Sequence, residues 1–459
     1  MTMEMMNDEM PTEENLCRLA LALIERDGGT YAEAKTKLLN LRLHLKVGAD
    51  VPESPALQAA LLTAVNAGKR AFLGGVTVEL EADGPLMLPW PAASQISEVI
   101  TSLGGIVSRA PGMTSVQTIC IGDCSSTAPD ALSIWVADWR GGVTLGSEAC
   151  PLSGDQTNPL AGVMAAAFGL ARGFLQLTGL TTYFVGHKLG FSLWRPDLHF
   201  DSSDAVGPVL ESLPERLWLA GLGHLGQGYA WNLGLLPYRN PEKTLFVLQD
   251  YDRVVEGNSC AGLLCEPDSP GKMKTRLCAD WLEARGFRTR LIERKFDDLL
   301  KLQDEEAMVA LCGFDSVEPR RALENAPFKF MVDCGIGGTH RFFDQFSIYT
   351  FPGARTPHEI WNSITDQQLA VNANLNRALG GKQACGILAE TLARKQVATS
   401  FVGAFAGAFV LSEILRGLNG GQWCEAATFH LRSNSPPRLV MRPEGSALKS
   451  VFAGTTAVK

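Results

Sequence analysis

The spacing of apolar positions changes character several times along this chain. Between residues 11 and 70, Leu16, Leu19, Leu23 and Ile24, then Leu38, Leu39, Leu41 and Leu45, recur near helical spacing and predict a helical N-terminus. Residues 75–150 read as strands: Val76 to Leu80 alternates, and 118–121 and 132–137 are short buried runs. A helix of small residues is predicted from about Pro159 to Leu177. From Trp194 to Pro214, prolines, aspartates and serines gather in linker composition, which puts a domain boundary near residue 205.

Beyond that boundary the pattern alternates. Strands are predicted at 217–220, 244–249, 288–293, 308–312, 328–333 and 346–351, and helices at 226–236, 272–286 and 397–418. Alternation of this kind predicts an α/β fold, a Rossmann-like and mainly parallel sheet with helices on both faces. The expected organisation is a mixed α/β unit over 1–205 and a nucleotide-binding unit over 206–459. The two units echo each other weakly, because Ala161 to Gly173 and Val402 to Glu413 are both Gly/Ala-rich helices late in their half. Only the second half carries a G-x-G-x-x-G after a strand. A degenerate duplicate accounts for both facts, and so does chance likeness of two small-residue helices.

The longest apolar run, Val397 to Leu411, is closed by Glu413 and Arg416 and falls short of the roughly 20 residues that cross a bilayer. A buried core helix is expected, and no membrane partner. A length of 459 residues sets a prior of about two to three domains, and 46% hydrophobic content suffices for large cores. The net charge of −8 argues against a nonspecific nucleic-acid binder. The acidic start has no apolar signal region, and the eleven cysteines form no regular framework, so reduced thiols in a cytoplasmic protein are expected. Cys120/Cys124 and Cys260/Cys265 are loosely spaced and form no regular ligand pattern, so structural zinc is not expected.

The candidate chemistry starts at Leu217 to Ala220, a strand that runs into Gly221, Gly223 and Gly226. Such a turn lets backbone approach a phosphate, with the N–H groups and dipole of the next helix favouring the anion. Taken alone it suggests NAD, with Asp250 or Asp252 on a ribose hydroxyl. Its company alters that reading. Two acids, Asp250 and Asp252, bracket Tyr251; Asn258 follows at eight residues and Lys274 at twenty-four, where a helix opens. A lysine there can reach a triphosphate, which NAD lacks. Asp315 closes a later strand at the sheet edge where a carboxylate helps hold Mg²⁺ against ATP.

Residues 215–420 resemble the ThiF/MoeB/E1 superfamily, which adenylates the C-terminal glycine of ubiquitin-like proteins; Gly221, Gly223, Gly226, Asp250, Asp252, Asn258, Lys274 and Asp315 carry the likeness. The resemblance implies ATP and Mg²⁺ as cofactors, Asp250 on the ribose, Asn258 and Lys274 on the phosphates, and Asp315 on the metal. It implies a ubiquitin-like protein and an E2-like protein as partners, and leaves homodimerisation open. The single-chain, two-half layout resembles bacterial E1-like proteins of conjugation operons, some implicated in phage defence. One position departs: the family usually has an arginine three residues after the Asn, and Ala261 stands there. Arg253, Arg276 or an arginine from the first half are the substitutes on offer.

Relatives that go beyond adenylation pass the acyl group to a thiol, which attacks an acyl-adenylate readily once deprotonated. Several carry that cysteine just before the last Gly/Ala helix, where this chain has Cys385 among Gly380, Gly381 and Gly386, with Lys382 nearby. Cys385 is therefore the expected nucleophile, ahead of Cys260 and Cys265. His224 is expected as a loop residue at the solvent edge, and His340 with Asp344 as part of a strand-end turn. Adenylation without thioester formation, an NAD-dependent oxidoreductase and a scaffold with a decayed site are the competing readings.

Overall fold

The computed structural model describes residues 17–108, 116–148, 152, 154–180, 188–303, 306–337, 342–362, 397–442 and 455–458. Cys385 and His340 lie outside them. The first sheet is built from β1 (Arg42–Val47), β2 (Val76–Leu80), β3 (Ile106–Val107), β4 (Val116–Ile121), β5 (Leu132–Ala137), β6 (Arg140–Leu145) and β7 (Leu189–Ser192), in the order β3-β2-β1-β4-β5-β6-β7. Every pair from β3 to β5 is parallel, and β6 and β7 continue antiparallel.

After the short strand β8 (Ser212–Pro214), the second half repeats that plan. Its strands are β9 (Arg216–Ala220), β10 (Leu245–Gln249), β11 (Arg288–Ile292), β12 (Val309–Cys312), β13 (Phe330–Ile336), β14 (Gln345–Phe351), β15 (Cys424–His430) and β16 (Arg438–Met441). Their order is β11-β10-β9-β12-β13-β14-β15-β16, parallel from β11 to β13 and antiparallel after it. A last strand, β17 (Thr455–Ala457), pairs with β8.

Two short helices, α1 (Leu19–Asp27) and α2 (Tyr31–Asn40), precede the first sheet. Helix α3 (Pro55–Ala71) follows β1, α4 (Ile96–Ser102) precedes β3, and α5 (Pro159–Leu177) sits between β6 and β7. In the second half α6 (His224–Leu233) follows β9, α7 (Lys274–Glu283) follows β10, and α8 (Val317–Ala322) follows β12. Then α9 (Pro357–Trp361) follows β14, and α10 (Ser400–Leu418) precedes β15. The two Gly/Ala helices α5 and α10 thus hold the same place in the two halves.

Helices α3 and α5 lie on the first sheet, α6 and α10 on the second, and the four pack against one another at the centre. Their small residues allow this: a Cβ on Gly228 of α6 would run into the Gly403 carbonyl of α10. Helices α5 and α10 are long and apolar enough to cross a membrane, but 89% and 100% of their apolar windows are buried inside the protein. One core therefore runs through both halves. Strand β9 divides its side chains by period two: Leu217 and Leu219 enter that core, while Trp218 and Ala220 enter a smaller one on the sheet's far face.

The predicted N-terminal helix over 11–70 needs correction. Residues 42–47 form β1, a central strand, because Leu43, Leu45 and Val47 alternate into the main core. The closing strands β15 and β16, with Arg438 and Val440 exposed along the edge strand, carry too little apolar signal to be read from sequence.

Candidate functional site

Strand β9 ends at Ala220, and the chain turns at Gly221 with φ +81°, a left-handed conformation suited to glycine. A Cβ there would lie 2.8 Å from the Gly313 carbonyl oxygen, and one at Gly226 would strike the Gly221 carbonyl. Strand, turn and helix are therefore packed backbone to backbone. Gly223 is the N-cap of α6, and no side chain caps that helix. Its first-turn N–H groups have no intrahelical partners, and they face a cavity of about 540 Å³.

Asp250 follows β10 and is buried. Its Oδ2 accepts from the Leu222 N–H at 2.6 Å and its Oδ1 from the Asp252 N–H at 2.8 Å, so one carboxylate fastens the glycine turn to the second strand's end. Burial pushes its pKa up, and Lys274 opposes the shift. Lys274 opens α7 with its Nζ 2.7 Å from Asp252 Oδ2. Burial pulls that ammonium down, but Asp250 and Asp252 outweigh it and the net shift is upward, so the lysine stays charged. Asn258 accepts the Val255 N–H on its Oδ1 at 3.0 Å and shapes the short 3₁₀ turn Glu256–Cys260. Asp315 is exposed beyond β12, and Ser316 rather than Asp315 is the N-cap of α8. Gly221, Gly223, Asp250, Asp252, Asn258, Lys274 and Asp315 all line the one cavity, while Gly226 sits just inside the helix.

His224 differs from its expected place at the solvent edge. It is the first residue of α6, its ring lines the cavity, and its Nε2 is buried without a partner. Burial, followed by the charges of Arg18 and Lys274, pushes its pKa down to about 3, so the imidazole is neutral at the mouth of the helix. The local sequence gave no sign of this, because a polar residue inside a glycine turn reads as exposed.

Among the substitutes for the arginine missing at Ala261, Arg253 donates to the Gly271 carbonyl and Arg276 pairs with Glu283; neither lines the cavity. Arg18, from the segment just ahead of α1, does. Its distance along the chain hid it from motif reading. Cys260 also lines the cavity, whereas Cys265 is buried behind it.

The corresponding place in the first half is closed. There α3 follows β1, but its N-cap Ser54 accepts the Leu57 N–H at 3.1 Å, the Gln156 carbonyl accepts the Ala56 N–H at 2.9 Å, and Pro55 has no N–H to offer. The donors that α6 presents to its cavity are used up internally in α3.

Comparison with known proteins bears on what occupies the open cavity. Residues 42–193 match the BilD N-terminal domain and residues 213–421 the BilD C-terminal domain. The "Bacterial E1-like protein BilD" of Collimonas sp. (strain OK412) is 36% identical over 402 residues, 86% of this chain and 86% of that protein. The chain belongs to the BilD family of bacterial E1-like proteins. Solved structures similar to this member include E. coli MccB, at 16% identity and TM-score 0.32, covering 51% of this chain and 63% of MccB. Another is the E. coli tRNA N6-threonylcarbamoyladenosine dehydratase TcdA, at 17% and 0.29, covering 44% and 85%.

The residues fit ATP with a single divalent ion. Among the described residues no group of three or more His, Cys, Asp or Glu is gathered to cage a metal. Asp315, an exposed carboxylate at the rim of a cavity of nucleotide size lined by Lys274 and Arg18, matches how Mg²⁺ is held, through few protein ligands and through the nucleotide itself.

Proposed function

We propose that this BilD-family protein adenylates the C-terminal carboxylate of a ubiquitin-like protein with ATP and passes it to Cys385 as a thioester. The convergence on one cavity of an uncapped helix N-terminus, Asp250, Lys274 and Asp315, in a chain of the E1-like family, carries this reading. The N–H groups of α6 and the ammonium of Lys274 bind the phosphates; Asp250 takes the ribose, Asn258 supports the phosphates, and Asp315 holds Mg²⁺. When bound, Mg²⁺ neutralises phosphate charge. Arg18 supplies the cation that Ala261 does not.

A carboxylate oxygen of the carrier attacks the α-phosphorus, forming an acyl-adenylate and releasing pyrophosphate. The Cys385 thiolate then attacks the acyl carbon, a thioester forms, and AMP leaves with the electron pair of the cleaved C–O bond. An E2-like protein receives the acyl group by exchange of one thiol for another. The return of the chain at Ala398, which lines the cavity, supports a role for Cys385. Cys385 precedes Ala398 by thirteen positions, and such a length spans up to about 45 Å. The closed α3 end supports the first half as an inactive adenylation-like unit.

The test uses purified protein, ATP, Mg²⁺ and a ubiquitin-like protein ending in glycine. Pyrophosphate exchange and a carrier adduct that thiol removes on a non-reducing gel are expected. Cys385→Ala should keep the exchange and lose the adduct. An adduct that survives the substitution overturns the cysteine assignment; exchange without any adduct in the parent protein leaves an adenylation-only enzyme. Tight NAD binding with no exchange overturns the whole reading.

A further inference from the structure

Helix α3 belongs to the first half, yet one of its faces serves the second. Thr63, Asn66, Ala67 and Arg70 recur at helical spacing and all point across the central layer. Thr63 accepts from Trp231 Nε1 at 3.0 Å, and the Ala67 carbonyl accepts from Ser400 Oγ at 2.7 Å. Asn66 and Arg70 reach further, to the loop beside the cavity. Asn66 Nδ2 donates to the Leu263 carbonyl at 2.9 Å. Arg70 Nη1 donates to the carbonyls of Ser259 at 3.0 Å and Cys265 at 2.7 Å, and Nη2 to that of Leu263 at 3.0 Å. Lys69 closes the arrangement with Nζ at 2.9 and 3.1 Å from the two Glu266 oxygens.

Arg70 is only 4% exposed, and burial disfavours its charge. A guanidinium is retained in such a place when a fixed fork of donors has something to hold. Here it pairs with Glu266 at 3.2 Å and holds three backbone carbonyls on either side of Ala261 and Gly262, and both of those residues line the cavity. Residues 261–265 are buried in and behind the cavity wall, so where these carbonyls are fixed sets where that wall lies. Because position 261 is an alanine, the segment offers a bound phosphate its backbone and Asn258, and the shape of that backbone decides what it can bind.

We propose that Arg70 is a positioning residue for the cavity: the first half acts on the site of the second by holding segment 256–266 in its binding shape. The proposal rests on the reading that ATP binds there. It gives the half without an open site a task beyond covering apolar surface.

The experiment compares the full-length parent with Arg70→Met and Arg70→Lys, because a lysine keeps the charge but cannot span carbonyls 259, 263 and 265. Three readouts are taken: amide hydrogen exchange without nucleotide, calorimetric titration with a non-hydrolysable ATP analogue and Mg²⁺, and pyrophosphate-exchange kinetics. Loss of these bonds should speed exchange in 257–265 by about tenfold or more while 221–226 and the first sheet stay as in the parent. Affinity for the analogue should fall by about tenfold, with the loss seen in KM for ATP rather than in kcat at saturation. Unchanged exchange at 257–265 overturns the proposal. So does uniform acceleration across the molecule, or unfolding of both variants, since Arg70 would then serve folding alone. If the parent fails to bind the analogue, the ATP reading falls, while the nucleotide-free exchange still decides what Arg70 does.

Discussion

Asp333 and Arg320 form an ion pair at 3.3 Å that connects the middle of β13 to the edge of the cavity. Arg320 also donates at 2.7 Å to the carbonyl of Phe314, the residue before Asp315. Asp333 is 1% exposed and its second oxygen has no partner. Burial raises its pKa to about 6 despite the guanidinium. A pair so placed orients the turn that presents Asp315 more than it stabilises the fold. Arg320→Met alone should cost about 3–5 kcal/mol by stranding the carboxylate, and adding Asp333→Leu should recover most of that. Urea denaturation measures both. Pyrophosphate exchange should stay impaired in the double variant, because the Phe314 carbonyl has lost its donor.

Gly223 and Gly226 should separate binding from stability. Nothing lies within 4 Å of a Cβ built on Gly223, whereas one on Gly226 meets the Gly221 carbonyl. Gly223→Ala is expected to melt like the parent and bind ATP weakly, because the methyl group occupies the open approach to the helix N-terminus. Gly226→Ala is expected to lose about 1–3 kcal/mol by overpacking. Thermal melting paired with nucleotide titration distinguishes the two.

His224 and Asp333 tilt the pH dependence of stability in opposite senses. Between about pH 3 and 6.5 the folded chain keeps His224 neutral while the unfolded chain protonates it, so this residue's contribution is lost as pH falls. Between 3.8 and about 6 the folded chain keeps the Asp333 proton that the unfolded chain releases, so that contribution falls as pH rises. His224→Gln removes only the first. Its urea midpoint should therefore decline less than the parent's from pH 6.5 to 4.5, and an equal decline would mean that the ring titrates normally.

Lys274 is held by Asp252 with its ammonium turned to the cavity, so its loss should affect nucleotide binding before folding. Lys274→Met is expected to lower pyrophosphate exchange by about 10²-fold, in line with losing one charged donor at a reacting phosphate. The melting temperature should fall less than in Arg320→Met, since the Asp252 left unpaired is 41% exposed and can be solvated. A large drop in melting temperature with normal exchange would reverse that assignment.

The second half was legible because its signals are local. A strand, a glycine turn and an acid at the next strand's end lie close together in sequence, and they meet for the same backbone reasons that make them recognisable. Lys274 opens α7 as its spacing implied. β1 was misread because Leu38, Leu39, Leu41 and Leu45 satisfy helical spacing across a boundary that only the sheet imposes. Arg18 and Arg70 belong to no motif in the sequence, and their roles follow from which surface α1 and α3 meet in space. The half-burial of His224 has the same origin: α10, distant in sequence, lies against it at Gly403. Cys385 lies outside the described residues, so its assignment still stands on sequence position.

The central layer of α3, α5, α6 and α10 joins two repeats of one plan within a single polypeptide. Such a pairing between separate chains would weaken on dilution and could exchange members. Tethered, the pairing of the two halves is unimolecular and fixed at one-to-one stoichiometry. Specific activity should therefore hold constant down to concentrations at which two-subunit arrangements come apart.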